Sequence, residues 1–290
     1  MKLISKSKLA PRAPKYIFKS VYKTTKILLD KEVILAIGSD KSKNWGDALN
    51  PILIQKISGK PILIVTQHTY NIRNKSVYSV IGSTLRQANA NNCGHKNLVV
   101  WGTGFISSQD RLKVQPKEIC AVRGPLTREL LLKQGYKCPD IYGDPALLYP
   151  KYYKPELRKK YKLGIIPHLI DKKEIFLRNF QNDPDILIID VFSGINNFVD
   201  QICICEKIAS SSLHGIIAAD AYGVPSTWIK FSDNVTGNGF KFFDYFKSVG
   251  RTDGKPLVIQ ENSSIDDILE TFYRYRLDID LSELWEACPL

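Results

Sequence analysis

One pattern repeats along the chain from Val33 onward: a short apolar run is followed by a segment with helical periodicity. The runs include VILAIG (33–38), NLVVWGTG (97–104) and DILIIDV (185–191), and many of them end at a glycine. Apolar runs that contain no polar residues are typical of parallel strands covered on both faces by helices. The pattern therefore predicts an α/β protein with parallel sheets.

The repeat is interrupted once, by the basic, tyrosine-rich segment KYYKPELRKKYK (151–162), and then resumes. For a chain of 290 residues, this break predicts two facing, Rossmann-like, doubly wound domains of the GT-B type. The predicted organisation is a basic arm (1–31), a first domain (32–150), a linker (151–162) and a second domain with a terminal helix (163–290). The clearest helices are expected near 47–57, 125–135, 172–180, 195–207, 240–248 and 265–276.

The basic charge is concentrated in the arm. Residues 1–31 contain nine Lys or Arg and one acidic residue, so they carry +8 of the formal net charge of +12. The rest of the chain is only weakly basic, which argues against a nucleic acid partner. Lysines and apolar side chains fall on different helical faces of the arm. The arm therefore fits two roles equally well, a peripheral membrane contact or a helix packed on the rest of the protein.

Other patterns bear on compartment and cofactors. The six cysteines form no CxxC pair and show no zinc-like spacing, and we expect neither a metal nor a redox cofactor. No stretch has the apolar core of a signal peptide, and no run approaches the ~20 apolar residues of a membrane span. We therefore expect a cytoplasmic protein, held at the inner face of the membrane if the arm binds lipid.

Candidate site residues follow the predicted strands, because doubly wound sheets bind ligands beyond the carboxyl ends of their strands. After the first strand, Asn44, Trp45 and Asp47 could hold a sugar by hydrogen bonds and stacking, although a capping turn with a packed Trp explains them equally well. Glycines after later strands allow close approach of a ligand to the backbone. These segments supply Gly82, Ser83, Gly102, Thr103 and Gly104.

Arg123 ends an apolar strand and precedes Gly124 at the start of a helix. A fixed guanidinium beside helix N–H groups is a good receptor for phosphate or carboxylate. The alternative is a structural arginine paired with a carboxylate, for which Asp144 is the candidate.

Two histidines also follow predicted strands of the second half. His168 follows LGIIP, and His214 follows the hydroxyl residues Ser210, Ser211 and Ser212. A helix dipole at His214 would lower the pKa of its imidazole and favour the neutral form. Each histidine alone is more often structural, but two at one sheet edge indicate a site.

These segments, taken together, resemble the polysaccharide pyruvyltransferase family. The resemblance is carried, in the family's order, by NWGDALNPIL, IGSTL, WGTGF, VRGPLTRELL, YGDPALL, LGIIPH and SSSLHGIIAADAYGVP, which cover most of residues 38–225. Many members read Arg-Leu-His-Gly where this chain has Ser-Leu-His-Gly at 212–215.

The resemblance implies transfer of the pyruvyl group of phosphoenolpyruvate to two hydroxyls of a sugar, in a polysaccharide or a lipid-linked precursor, to form a cyclic ketal. His214 is then expected to be the acid/base, His168 to assist it, and Arg123 to hold the donor. The remaining donor-binding candidates are Gly124, Ser210, Ser211, Ser212, Gly102, Thr103 and Gly104. The acceptor-binding candidates are Asn44, Trp45, Asp47, Gly82 and Ser83.

Two other functions fit the same fold, because a fold does not fix a function. One is a glycosyltransferase that uses a nucleotide sugar. The other is a non-catalytic glycan-binding subunit.

Overall fold

The computed structural model describes residues 32–38, 44–65, 75–88, 97–173, 175–252 and 254–290. The basic arm (1–31), with its predicted amphipathic helix, lies outside the described residues. The rest forms two five-stranded parallel sheets with helices packed on them. This confirms the predicted α/β class with parallel sheets; the domain boundaries remain predictions.

The first sheet contains β1 (Ile34–Ile37), β2 (Ile62–Val65), β3 (Val77–Ser79), β4 (Leu98–Trp101) and β5 (Glu118–Ala121). Its strand order is β2-β1-β3-β4-β5, with every pairing parallel. Most residues of these strands are buried, which explains their largely apolar sequences.

The second sheet contains β6 (Tyr161–Ile166), β7 (Ile186–Ile188), β8 (Cys205–Ser210), β9 (Ser226–Lys230) and β10 (Leu257–Val258). Its order, β10-β9-β8-β6-β7, repeats the topology of the first sheet. In each sheet the first strand in sequence lies between the second and the third. The chain direction across the sheet therefore reverses beside β1 and beside β6, and ligands of such sheets bind at these switch points.

The α-helices are α1 (Trp45–Ser58), α2 (Leu85–Ala88), α3 (Pro125–Lys133), α4 (Ile195–Cys203), α5 (Leu213–Ala221), α6 (Phe240–Ser248), α7 (Ile265–Leu269) and α8 (Leu281–Glu286). Three helix predictions need correction. The 172–180 segment forms two 3-10 helices, Leu169–Lys173 and Ile175–Asn179. The 195–207 helix ends at Cys203, because β8 begins at Cys205. The 265–276 helix stops at Leu269.

The C-terminal segment returns to the first sheet. Leu284 of α8 is fully buried, and its carbonyl accepts a 2.9 Å hydrogen bond from Trp101 Nε1 in β4. The Lys151 ammonium lies 4.1 Å from the centre of the Trp285 ring. The end of the chain therefore ties the second half of the molecule to the first.

Within the described parts of the chain, every helix is too short or too polar to span a bilayer. The same residues contain no group of three or more His, Cys, Asp or Glu side chains that could hold a metal ion.

Candidate active site

The two switch points face each other. From the first sheet come the start of α1, which follows β1, and Gly82, which follows β3. From the second come His168, which follows β6, and His214, which lies in α5 just after β8. The His214 ring lies against Gly46 and Gly82. The fold therefore brings four strand ends from two sheets to one cleft.

His214 occupies space that only glycine leaves open. A Cβ at Gly46 would lie 2.2 Å from His214 Nδ1 and Cε1, and one at Gly82 would lie 3.4 Å from Cε1 and Nε2. The first distance leaves no room for a side chain at Gly46 unless the His214 ring moves. Gly46 is part of the first turn of α1, and Asn44 is the N-cap residue of that helix. The glycine in Asn-Trp-Gly-Asp therefore makes room for the histidine.

His214 retains partial exposure, but its Nε2 is buried and has no hydrogen-bond partner among the described residues. Burial lowers the pKa of His214, while the Asp144 and Asp47 carboxylates oppose that shift. Burial is thus the main cause of the lowered pKa, where the sequence had suggested the helix dipole. A buried, unsatisfied imidazole nitrogen is costly, and such groups are common where chemistry needs them.

Asp144 is the carboxylate that acts most strongly on His214. It is fully buried, and its oxygens accept hydrogen bonds from the Gly82 N–H (3.2 Å) and the Ala146 N–H (3.0 Å). Burial raises the pKa of Asp144, and His214 is the largest influence that lowers it. Because the two side chains shift each other toward the charged form, Asp144 would stabilise a protonated His214.

His168 lies on the same side of the cleft as His214, because both histidines follow strands of the second sheet. Its backbone N–H donates to Ser211 Oγ (2.8 Å), and Ser211 donates in turn to the buried Asp171 carboxylate (2.7 Å). Ser232 donates to the other oxygen of Asp171 (2.7 Å). Burial, with a smaller contribution from Lys241, lowers the pKa of His168 to about 4, so this imidazole is neutral near pH 7.

The three serines differ in what they offer a ligand. Ser210 Oγ donates to backbone carbonyls of Ile166 (3.1 Å) and Ser212 (2.8 Å), and Ser211 is engaged with Asp171. Ser212 is the N-cap residue of α5, but its hydroxyl makes no capping bond. Of the predicted hydroxyl ligands, Ser212 is the one whose side chain has no such internal role.

Arg123 is fully buried and paired with Asp244 of α6 (2.9 Å), rather than with Asp144. Its guanidinium also donates to Ser83 Oγ (2.9 Å) and to the Phe105 carbonyl (2.5 Å). Asp244 further accepts from the backbone N–H (2.8 Å) and hydroxyl (2.7 Å) of Thr127. This buried network joins the two halves and occupies the guanidinium, so a donor would reach Arg123 only by displacing part of it.

Lys241 is a functional candidate that the sequence did not reveal. It lies in the first turn of α6 and is half-buried. Its charge acts on both His168 and His214, which places it at the cleft. No carboxylate of the described residues lies within salt-bridge distance of its ammonium. Burial, aided by Arg123 and opposed by Asp47 and Asp171, lowers the pKa of Lys241 to about 8. The segment GFKFFDYFK looks like an ordinary amphipathic helix, and only the fold brings its first lysine to the histidines.

The other predicted donor-binding residues are packed closely against neighbouring groups. Gly102 has a φ of +82°, which places it in the left-handed region. Thr103 is buried, and its hydroxyl bonds to the Gly82 carbonyl (2.9 Å) and to Thr84 Oγ1 (2.9 Å). A Cβ at Gly104 would lie 2.6 Å from Arg123 Cζ, and one at Gly124 would lie 1.9 Å from the Asp244 carbonyl oxygen. These residues therefore pack around Gly82 and the Arg123–Asp244 pair and hold them in place.

Among the predicted acceptor ligands, Asp47 and Ser83 retain partial exposure, and Asp47 acts electrostatically on both His214 and Lys241. Asn44 is also partly exposed and caps α1. Trp45 is 1% exposed; its Nε1 donates to the Ile195 carbonyl (3.1 Å), and its ring lies 5.3 Å from that of Phe198. The contacts of Trp45 are therefore those of a packed core tryptophan, which was the alternative to a sugar-binding role.

A cavity of about 320 Å³ adjoins the cleft at the carboxyl edge of the second sheet. Ser211 forms one wall, and the Trp228 ring, stacked on Phe242 with ring centres 4.4 Å apart, forms another. Lys230 and Asp233 supply charged groups at its lining. A cavity with aromatic walls and a few polar groups is large enough for a small organic ligand.

Fold and site together define a two-part α/β protein with a histidine-centred cleft between two matching sheets. The chain belongs to the polysaccharide pyruvyl transferase family, whose model matches residues 4–233. This confirms the resemblance seen in the sequence motifs. At the level of the family, the chain is a transferase of polysaccharide biosynthesis.

Two relatives are similar to this chain in sequence. The "Uncharacterized protein L143" of Acanthamoeba polyphaga mimivirus is 33% identical over 242 residues, which is 78% of this chain and 79% of the viral protein. The "Succinoglycan biosynthesis protein ExoV" of Rhizobium meliloti (strain 1021) is 30% identical over 176 residues. That match covers 59% of this chain and 53% of the ExoV protein.

Proposed function

We propose that the protein transfers the pyruvyl group of phosphoenolpyruvate to two hydroxyls of one sugar, in a polysaccharide or its lipid-linked precursor, and forms a cyclic ketal. The observation that carries the proposal is His214, which lies beside a buried carboxylate at a cleft formed by two sheet switch points. Its imidazole Nε2 has no hydrogen-bond partner in the part of the chain that the structure describes. Membership of the family is consistent with this chemistry.

The donor brings a phosphate and a carboxylate, so its site must supply positive charge. Lys241 suits this role, because it is charged at neutral pH and has no described carboxylate partner. The first backbone N–H groups of α5 add hydrogen-bond donors at the positive end of the helix dipole, since the hydroxyl of the N-cap residue Ser212 does not cap them. Together these groups would orient the donor beside His214.

His214 is assigned the proton transfer. In the free protein, burial favours its neutral form. Binding of a donor with several negative charges would raise its pKa, so that the imidazole takes up a proton as the donor enters. Asp144 would stabilise the resulting imidazolium. The proton then passes to the donor's C3 methylene, which becomes a methyl group and leaves oxocarbenium character at C2.

Two sugar hydroxyls complete the reaction. The first attacks C2, inorganic phosphate leaves, and the second hydroxyl closes the ketal. The two hydroxyl protons balance the proton added at C3 and the one taken up by phosphate. Asp47 and neutral His168 are the partly exposed groups at the cleft that could accept these protons. The Asp47 carboxylate would repel the phosphate, so Asp47 is placed, with its neighbour Asn44, on the acceptor side.

The proposal is tested by incubating the protein with phosphoenolpyruvate and a panel of saccharide acceptors. We expect acceptor-dependent release of phosphate and a product that carries the mass of one pyruvyl ketal. His214→Ala should keep the melting temperature near that of the wild type and lose about 10²- to 10⁴-fold in turnover. Release of nucleotide from a nucleotide sugar, or glycan binding with neither product, would instead support one of the two alternative functions.

A further inference from the structure

A second cavity lies away from the cleft, at the opposite edge of the second sheet. Its volume is about 590 Å³. It is bordered by Pro225, which directly precedes β9, and by Lys207 near the start of β8. Helix α5 runs from the catalytic cleft toward this edge, with His214 in its first turn and Asp220 in its last. Nine residues of helix span about 13 Å. A ligand in this cavity would therefore not touch the reacting atoms.

The floor of the cavity contains a buried ion pair between Asp220 and Arg251. The Asp220 carboxylate accepts from Arg251 Nη1 at 3.0 and 3.1 Å, from Tyr245 at 2.8 Å and from Tyr275 at 2.6 Å. The side chains of Asp220 and Arg251 are both 0% exposed. Because the negative charge of Asp220 is matched by Arg251, it does not repel an anion above it.

The walls are basic and aromatic. Lys207 and Arg274 line the cavity, and Asp220 is the one carboxylate among the lining residues. The Lys207 ammonium lies 5.1 Å from the centre of the Phe272 ring. Tyr273 is 41% exposed, and its ring lies 5.5 Å from that of Tyr275. Aromatic faces pack against the apolar faces of sugar rings, while arginine and lysine bind carboxylates.

From this combination we infer that the cavity binds an acidic saccharide, in which a sugar ring packs on Tyr273 and a carboxylate pairs with Arg274 and Lys207. The inference rests on the proposed function in one respect. A pyruvyl ketal carries a carboxylate on a sugar, so the product of the proposed reaction has the chemistry that this cavity would recognise. A glycan already modified on one unit could then stay bound at the second site while the next unit enters the cleft.

Binding without turnover is the direct test. The probes are the methyl glycoside of galactose with a 4,6-linked 1-carboxyethylidene (pyruvyl) ketal, and the same glycoside without the ketal. Titrations are followed by NMR without phosphoenolpyruvate, so that the glycoside without the ketal cannot be converted into the ketal. We expect the ketal to bind and Arg274→Ala to weaken it about tenfold or more, as for a lost hydrogen bond to a charged group. The matched control is Arg276→Ala, which removes an exposed arginine two residues further on that does not line the cavity.

The outcomes separate the two proposals. Equal affinity of wild type and Arg274→Ala, equal binding of the two probes, or no binding by the wild type would each overturn the second site. If the ketal binds and Arg274→Ala abolishes binding, the second site stands even in a protein that shows no pyruvyl transfer. If transfer occurs, Arg274→Ala should raise KM for a long, partly modified glycan and leave KM for a single repeat unit unchanged.

Discussion

Gly46→Ala is expected to disable the active site while leaving the fold intact. The new Cβ would lie 2.2 Å from two atoms of the His214 ring, whereas ordinary contacts begin near 3.4 Å. The ring must therefore move by about 1 Å, and a displacement of this size at a reacting group costs about 10²-fold in rate.

The cost in stability should be small by comparison. Overpacking of this kind destabilises a folded protein by about 1–3 kcal/mol. Because Gly46 lies within α1, the higher helix propensity of Ala over Gly offsets up to about 1 kcal/mol of that loss. The folded variant should therefore show a slightly lower melting temperature and a strongly reduced kcat.

The assay is acceptor-dependent phosphate release from phosphoenolpyruvate, with a melting curve for each protein. The matched control is Gly254→Ala, because a Cβ at Gly254 meets no atom within 4 Å and should change neither quantity. Wild-type kcat in folded Gly46→Ala would refute the claim that the position of His214 limits the reaction.

Four further predictions concern charge. Lys241, with a pKa of about 8, loses its proton as the pH rises past that value, so KM for phosphoenolpyruvate should increase above pH 8; a pH series should show this step vanish in Lys241→Ala. Because burial lowers the pKa of His214, the protonated fraction of His214 grows as the pH falls through this range. The value of kcat/KM should therefore rise from pH 8 toward pH 6 in the wild type and in Lys241→Ala. Asp244→Ala leaves the buried Arg123 charge unpaired and should lower the free energy of unfolding by about 3–5 kcal/mol in denaturant titrations. The control Asp233→Ala removes an exposed pair with Lys230 and should cost no more than about 1 kcal/mol. Similar losses in the two variants would contradict a stabilising role for the buried Arg123–Asp244 pair. Deletion of residues 1–30 should abolish salt-sensitive sedimentation with anionic vesicles and spare activity on a short acceptor; equal sedimentation of both forms would reject the membrane contact.

The layout of the fold was predictable because buried parallel strands leave a strong local signal. Apolar runs located the strands, although the strands end earlier than the runs do: residues 97–104 yield only Leu98–Trp101. The segment 265–276 shows the limit of helical periodicity, since Tyr273 and Tyr275 lie beyond the helix and pack at a cavity instead. Strand order, and therefore the position of the switch points, was not readable from local patterns.

The site was predictable only in part, for a related reason. His168 and His214 follow strands, and sequence reasoning could place them at a sheet edge. The partner of Arg123 lies 121 residues away in α6, and nothing near Arg123 in sequence points to Asp244. Lys241 reaches the cleft by the same helix, so its role also depends on how the two halves pack. The reason for glycine at position 46 likewise lies in the other half of the molecule.

The measurement closest to the central claim is the reaction carried out in D₂O. If His214 protonates C3 of phosphoenolpyruvate, the proton comes from an exchangeable group. The methyl group of the ketal should then carry a single deuterium by NMR and mass spectrometry, and His214→Ala should form this product at least about 10²-fold more slowly. A ketal whose methyl group contains no deuterium, or a wild-type rate in folded His214→Ala, would contradict the assignment of His214 as the proton donor.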